Sequence, residues 1–413
     1  MKNYIEFFTG GIADVDVRTI IAQGPKPEYV TDNDWADQYY LPARFLSACN
    51  QNTLITLPKH ESLQEFVEWF QENIFRPRFN QTLNVLWLDD TEYLLDRNID
   101  NRALCAMRDF VSNANRSVAF PYSTYPEFFE WFNQLDDFSL LGENQGFYSE
   151  FANKTILHPG SSSGLDLSLI PGLRIPYGVN CFNFEELLEQ SANFRGENHL
   201  IKDPYGSGGS GISLVKTFAD LHVEHYPQML EECLDLQTLE DGSELSLSVQ
   251  FTGAKVMDVP TRQIVHGTHS AGNVIHENRF EHLYEDVMQQ AHIVSRVLSN
   301  HGMRGLGGVD FLFENNKAWL VDVNLGRPTA AHPAWFTRES YYGLDSQISF
   351  ATLDMPFNNS IVDVWGKVSS LLSENVNFMP LYHLQNMESR WICFAETGNV
   401  ALNTLQNIRE IIA

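Results

Sequence analysis

Apolar positions in the first third of the chain alternate between two spacings, and each change of spacing marks a new element. NTLITLP (52–58) reads as a strand. In ESLQEFVEWFQENIF (61–75), Leu63, Phe66, Val67, Phe70 and Ile74 recur at helical intervals, and Ser62 with Glu65 makes a capping-box pattern that predicts the helix start. NVLWLDD (84–90) is strand-like, IDNRALCAMRDFVSNA (99–114) helix-like, SVAFPY (117–122) strand-like and YPEFFEWFNQL (125–135) helix-like. That order predicts a small open α/β unit with parallel strands. The aromatic residues of FVEWF and FFEWF also fall at helical spacing, which assigns them to packing rather than to ligand stacking.

Near residue 150 the texture changes. NKTILHPGSSSG (153–164) is loop-rich and FNFEELLEQSANF (182–194) is helical, whereas ENHLIKDPYGSGGSGISLVK (197–216) places a short apolar run on each side of a glycine-dense turn. LSLSVQF (245–251) alternates with period two, and KVMDVPTRQIVHG (255–267) is expected to continue an antiparallel sheet. A long amphipathic helix is predicted over 281–300, with Leu283, Val287, Ala291, Val294 and Leu298 inward and Gly302 as its stop. GVDFLFENNKAWLVDVN (308–324) reads as two apolar strands joined by a polar turn. The last stretch carries a helix at 361–372, the strand-like RWICFAETG and a closing helix.

Composition narrows the function. With 43% hydrophobic and 19% charged residues the chain is an ordinary globular one, and 413 residues predict more than one packed unit. Lys and Arg number 27 against 53 Asp and Glu, a net charge of −26 that repels a duplex or an anionic membrane surface, so neither nucleic acid nor membrane is an expected partner. Cys49, Cys105, Cys181, Cys233 and Cys393 are odd in number and form no CxxC pair, which speaks for thiols in a reducing compartment and against disulfides or a Cys-type zinc site. The N-terminus has acidic residues where a signal peptide needs an apolar core, and no window approaches a membrane span, so a cytoplasmic location is expected.

Candidate chemistry begins at Lys202. Gly206, Ser207, Gly208, Gly209, Ser210 and Gly211 follow it, and such small residues let consecutive backbone N–H groups approach a phosphate oxygen. A dinucleotide-binding G-x-G-x-x-G must open a helix, whereas ISLV after Gly211 is a strand pattern; a P-loop needs GK[ST], which is missing. A kinase lid has its lysine downstream and needs HRD and DFG motifs, which the chain lacks. A phosphate flap and a ligand-free glycine hairpin remain.

Asp310 and Asp322 each interrupt an apolar strand, and a buried carboxylate needs a cation or hydrogen bonds. An odd number of loop residues in the ENNK turn would put the two opposite each other on one face, with Asn324 two residues on. Like charges across a ladder repel, and a divalent metal with hard oxygen ligands relieves that. An even loop would separate them. The alternative is two aspartates satisfied by backbone amides or Arg327.

Taken together, Lys154, Lys202 with its glycine loop, the Glu231-Glu232-Cys233-Leu234 segment, Glu244, Asp310 and Asp322-x-Asn324 resemble in order and spacing the ATP-grasp ligases, over roughly residues 150–330. The N-terminal unit and the tail with Pro380-Leu-Tyr-His-Leu384 are similar, more faintly, to the flanking domains of pheganomycin-type peptide ligases. The resemblance implies an α/β ATP-grasp fold: an N-terminal open parallel domain (1–150), a core over 151–350 with a glycine-loop lid (176–232) and a mixed-sheet metal-site part (233–350), and a C-terminal extension (351–413). It implies ATP and Mg²⁺, with Lys154, Lys202 and the 206–211 loop on the phosphates, Glu231 to Leu234 at the adenine, Glu244 near the ribose, and Asp310, Asp322 and Asn324 on the metals. Arg327 resembles the arginine placed near the reacting phosphoryl group, one residue later than the common Asn-x-Arg spacing. The metal strand reads Asp-x-Asn where the family usually has Glu-x-Asn.

The activity so implied is activation of a carboxylate as an acylphosphate and its capture by an amine, both small-molecule substrates such as amino acids or peptides. Transfer to a carrier-protein thiol and a non-catalytic nucleotide-binding module are the competing readings, and a homo-oligomer is compatible with the sequence. Arg262 and Arg304 are further cationic candidates, with surface salt bridges as the equal alternative. The stretch 261–273 is expected to be a loop over the acceptor, with His266 or His269 as candidate bases beside the reading of ordinary loop histidines. His222 and His225 are spaced for a shared metal but lack further ligands.

Overall fold

The computed structural model describes residues 17–22, 41–88, 101–112, 116–121, 139–140, 154–161, 163–194, 198–204, 211–216, 223, 226–239, 244–266, 269–277, 280–303, 306–325, 328–343, 346–355, 358–373, 376–384 and 389–412. The chain divides into two compact units. The first takes 1–143, 272–276 and 330–413; the second takes 144–271 and 277–329.

The N-terminal part of the first unit holds β1 (Val17–Ala22), β2 (Thr53–Pro58), helix α1 (Glu61–Phe70), β3 (Asn84–Leu88), helix α2 (Asn101–Val111), β4 (Arg116–Pro121) and β5 (Ser139–Leu140). The sheet order is β3-β2-β1-β4-β5 and every pairing is parallel, the arrangement that strand–helix alternation requires. Its central strand β1 escaped the reading of periodicity because its apolar run, Ile20-Ile21-Ala22, is too short to announce itself. Helix α1 buries Leu63, Phe66, Val67, Trp69 and Phe70, in keeping with their spacing. The capping box does not form: His60 is the N-cap, it makes no side-chain cap bond, and Ser62 sits inside the first turn. The FFEWF segment lies outside the described residues.

The second unit opens with a short 3-10 turn, Thr155–Leu157, and continues through β6 (Gly178–Cys181), α3 (Phe184–Asn193), β7 (His199–Lys202), β8 (Ile212–Val215) and β9 (Gln228–Glu232). Asn183 caps α3 by accepting a hydrogen bond from the Glu186 N–H at 2.9 Å. The four strands form an antiparallel sheet in the order β6-β9-β7-β8, with Cys181, Leu187, Ile201, Val215 and Leu230 as its apolar core. The strands predicted on either side of the glycine segment are β7 and β8. Gly211, at φ +78°, closes the turn by accepting a hydrogen bond from the Asp203 N–H at 2.8 Å, and a Cβ there would lie 2.6 Å from Asp203 Cβ.

The remainder of this unit runs β10 (Ser246–Thr252), β11 (Lys255–Val256), β12 (Thr261–His266), β13 (His269–Ile275), α4 (Glu281–Asn300), β14 (Leu306–Glu314) and β15 (Lys317–Leu325), β13 being divided between the units. Strands β15, β14, β10 and β12 are antiparallel neighbours. Leu247, Val249 and Phe251 of β10 and Val309, Phe311 and Phe313 of β14 turn one face into a core that α4 covers with Leu283, Val287, Ala291, Val294 and Leu298. Each Leu, Val or Phe among them contributes ~1.5–3 kcal/mol when fully buried. The opposite face is thereby left for polar residues, and it carries the site. The antiparallel sheet expected over 255–267 forms as β12, whereas the loop expected over 261–273 does not, since most of that stretch belongs to β12 and β13. Its Thr, Ile and Val positions fit a pleated surface, and their β-preference outweighed the polar appearance of the segment.

The first unit is completed by α5 (His332–Tyr342), β16 (Ser349–Met355), α6 (Ile361–Val368), β17 (Asn377–His383), β18 (Ser389–Ala395) and α7 (Gly398–Ile412), with β16, β18 and β17 antiparallel in that order. No helix among the described residues is long and apolar enough to cross a membrane.

Candidate active site: two carboxylates opposed across a bulged hairpin

The residues of the site all belong to the second unit. The β14–β15 hairpin turns through Asn315 and Asn316, both in the left-handed region at φ 52° and 59°, as a two-residue hairpin turn requires. Two loop residues are the even count that would put Asp310 and Asp322 on opposite faces. The ladder corrects this with a bulge: Phe311 pairs with Leu320 and Asp310 with Asp322, so Val321 is the extra residue. One added residue inverts the alternation, and the two aspartates face each other across the strands with Ser248 of β10 opposite Asp310 on the other side.

That opposition is electrostatically costly as it stands. Burial and the facing Asp322 push the Asp310 carboxyl up to about 6, against hydrogen bonds from Ser248 and Gln263 and the charge of Lys154, which hold it down. Gln263 Nε2 donates to Asp310 Oδ1 at 3.2 Å, and its own oxygen accepts from the Ser246 hydroxyl at 2.6 Å, which fixes the amide. Asn324 Nδ2 donates to Asp310 Oδ2 at 3.3 Å. Asp322 Oδ1 accepts from the Val323 N–H at 3.0 Å, and its Oδ2 lies 3.3 Å from Lys154 Nζ. Lys154 reaches it from the start of the turn Thr155–Leu157, which Ile156 and Leu157 pin into the core.

A second cation comes from the neighbouring sheet. Lys202 ends β7; the pairings Lys202 with Met229 and Leu200 with Glu231 make Lys202 and Glu231 diagonal neighbours on one face. Lys202 Nζ forms an ion pair with Glu231 Oε2 and donates to the Val321 carbonyl, the bulge residue, at 3.1 Å. Glu231 Oε1 lies 2.8 Å from His158 Nε2. Burial by itself would raise the Glu231 carboxyl, but Lys202 and His158 overcome it and hold the group at about 2.

The donor set fits a divalent cation. Two carboxylates and an amide supply hard oxygen ligands, and the raised Asp310 carboxyl marks a place where positive charge is short. Among the described residues no three His, Cys, Asp or Glu side chains form a metal cluster by themselves, so an ion held by Asp310 and Asp322 takes further oxygens from Asn324, water or a bound anion.

Other expected residues fall elsewhere. Glu232 spends its carboxylate on the Tyr177 N–H at 2.8 Å, and its own N–H on the Tyr177 carbonyl at 2.9 Å. Beyond it Cys233 is exposed and Leu234 half-buried, in backbone that has left the sheet. Glu244 makes an isolated bridge with Thr238, and burial raises its carboxyl. Arg262 is buried in an ion pair with Glu277, which settles it as structural rather than ligand-facing. Gly206 to Ser210, Arg304, Arg327, His222 and His225 lie outside the described residues, as do the side chains of His266 and His269. Sequence reasoning missed His158, Ser248 and Gln263. For Ser248 a signal existed, since Ser246, Ser248 and Gln250 alternate with the apolar core residues of β10.

These two antiparallel sheets, the second with opposed carboxylates on its final hairpin, make an ATP-grasp fold. Residues 170–331 match the family described as ATP-grasp domain, and the chain carries such a domain. Among solved structures it is similar to the biotin carboxylase–β,γ-ATP complex from Campylobacter jejuni, at 12% identity and a TM-score of 0.61, covering 98% of this chain and 93% of that one. The N5-carboxyaminoimidazole ribonucleotide synthetase of Thermus thermophilus gives 11% and 0.59, with 96% and 98% covered. The biotin carboxylase domain of the Hydrogenobacter thermophilus 2-oxoglutarate carboxylase, in complex with MgADP, ADP and bicarbonate, gives 10% and 0.58, with 96% and 90% covered. No curated protein sequence matches the chain.

Proposed function

We propose that the protein is an ATP-dependent ligase that activates a small-molecule carboxylate as an acylphosphate and transfers it to an amine, forming an amide or peptide bond. The observation that carries this reading is the Asp310–Asp322 pair, brought face to face by the bulge and flanked by two buried lysines. Asp310, Asp322 and Asn324 would hold Mg²⁺, which when bound offsets negative charge on phosphate oxygens and on the leaving group. Lys154 and Lys202 would bind ATP phosphates, with Lys202 working from the base of the glycine turn, residues 206–211, as the cover. The 231–234 segment would meet the adenine and Glu244 the ribose. Arg327, two residues past Leu325 where β15 ends, would stand at the transferring phosphoryl group.

Such a site has no need of a protein nucleophile. Its residues would position two substrates and stabilise charge, and the hydrogen-bonded setting of buried Lys202 and half-buried Asp310 makes those interactions stronger than in water. Two of the similar structures are complexes with β,γ-ATP and with MgADP, which supports a nucleotide as the ligand of this fold. The domain plan that goes with it is a lid over 176–232 and a metal-site part over 233–350, flanked by 1–150 and 351–413.

The test is formation of ADP and phosphate from ATP and Mg²⁺ in the presence of pooled carboxylates and amines, amino acids first. Asp322→Ala is expected to lower turnover at least about a hundredfold without loss of the folded state. Turnover that survives the substitution removes Asp322 from the metal site; absence of ADP with every substrate pool rejects the ligase.

A further inference from the structure

His158 belongs to none of the motifs that point to a nucleotide, yet it is among the most constrained side chains of the second unit. It is fully buried, and its Nε2 lies 2.8 Å from Glu231 Oε1. A carboxylate only accepts, so Nε2 carries the hydrogen and donates. The other Glu231 oxygen holds the Lys202 ammonium, which in turn donates to the Val321 carbonyl, one residue before Asp322.

Strand β6 is shaped around this ring. Gly178 stands directly opposite Glu231 in the β6–β9 ladder, where a side chain would share the face of the carboxylate. A Cβ on Gly178 would lie 2.5 Å from His158 Cε1 and 2.6 Å from Nε2, so the space of the missing side chain is the space the imidazole fills. Two residues on, Asn180 Nδ2 donates to the carbonyls of Thr155, His158 and Pro159 at 2.9, 3.1 and 2.8 Å and clamps the turn that carries the ring. Meanwhile His158 Nδ1 is buried with no hydrogen-bond partner among the described residues. An apolar side chain would avoid that penalty, so the imidazole is kept for what Nε2 does.

We propose that His158 is a positioning residue: by fixing the Glu231 carboxylate it holds Lys202 aimed at the face that carries Asp310 and Asp322. With one carboxylate oxygen on His158 and the other on Lys202, the carboxylate plane is fixed, and the long lysine side chain loses the freedom that would let it point away from a phosphate. The inference rests on the ligase reading for what Lys202 touches, and it adds a residue to which that reading assigns nothing.

The affinity for MgATP, measured by calorimetry on the full chain, tests it with His158→Ala, His158→Gln, Lys202→Ala and the double variant H158A/K202A. Lys202→Ala is expected to weaken binding about ten- to a hundredfold, and His158→Ala by about tenfold or more, as for loss of a hydrogen bond to a charged group. Gln places an amide donor near the Nε2 position and should return affinity to within about threefold, while the double variant should bind no more weakly than Lys202→Ala, because the two act through one ammonium. Wild-type affinity in His158→Ala, no rescue by Gln, or losses that add in the double variant overturn the proposal. Should His158→Ala fail to fold, His158→Leu fills the volume without a donor and is expected to show the same loss. Unchanged affinity in Lys202→Ala overturns the phosphate role of Lys202 first and this inference with it, which distinguishes the two failures.

Discussion

Glu231 shows how one buried group records its surroundings. Burial disfavours its charge, yet Lys202 and His158 together hold the carboxyl at about 2, below its ordinary value near 4.5. A depressed carboxyl adds stability above its unfolded value and loses it as the pH falls through the folded one. Glu231 therefore stabilises the second unit at neutral pH, and that contribution disappears between about 4.5 and about 2. Replacing it by Gln should lower stability at neutral pH and flatten the dependence in that window, read from urea unfolding at a series of acidic pH values; an unchanged slope would mean that Glu231 titrates no differently in the folded state. Asp310 and Asp322 could be picked out of the sequence because each is a charge in an otherwise apolar strand, Lys202 because a glycine loop follows it, and Lys154, at the head of a short turn, only by resemblance. His158 could not, since its partner lies 73 residues away and only folding brings the two together.

Among elements, the β14–β15 hairpin decides the site. Its turn residues Asn315 and Asn316 are exposed and both have positive φ, so Asn316→Gly should be tolerated, whereas Asn316→Val should cost ~1–3 kcal/mol in chemical denaturation. Equal stability of the two variants would show that the turn is not held in this conformation. Helix α4 and the two hairpin strands were legible because each writes a simple period into the chain, of 3.6 or of 2, and β2, β3 and β4 of the N-terminal sheet because they are short apolar runs set between helix-like segments. The bulge at Val321 was not, because a single unpaired residue changes the phase of the alternation without changing its composition. Loop-length arithmetic at the turn consequently pointed the wrong way on its own, and the strand compensated.

At the scale of the molecule, a chain of net charge −26 must attract an anionic substrate through a local exception to its own field. The first unit gathers three separate stretches of chain, a long-range arrangement with no trace in local periodicity, while the second contains the whole of the described site. In that site the cations are already engaged: Lys154 on Asp322 and Lys202 on Glu231. Among the described residues both lysines are thus coupled while Asp310 has no cation of its own, and an anion alone would have to break a couple without replacing it. With a divalent ion and a polyphosphate present together, Asp322 would hold the ion and Lys154 would be freed for a phosphate oxygen. ATP in a chelator should accordingly bind at least about tenfold more weakly than with Mg²⁺, and equal affinity under the two conditions would mean that no such exchange occurs.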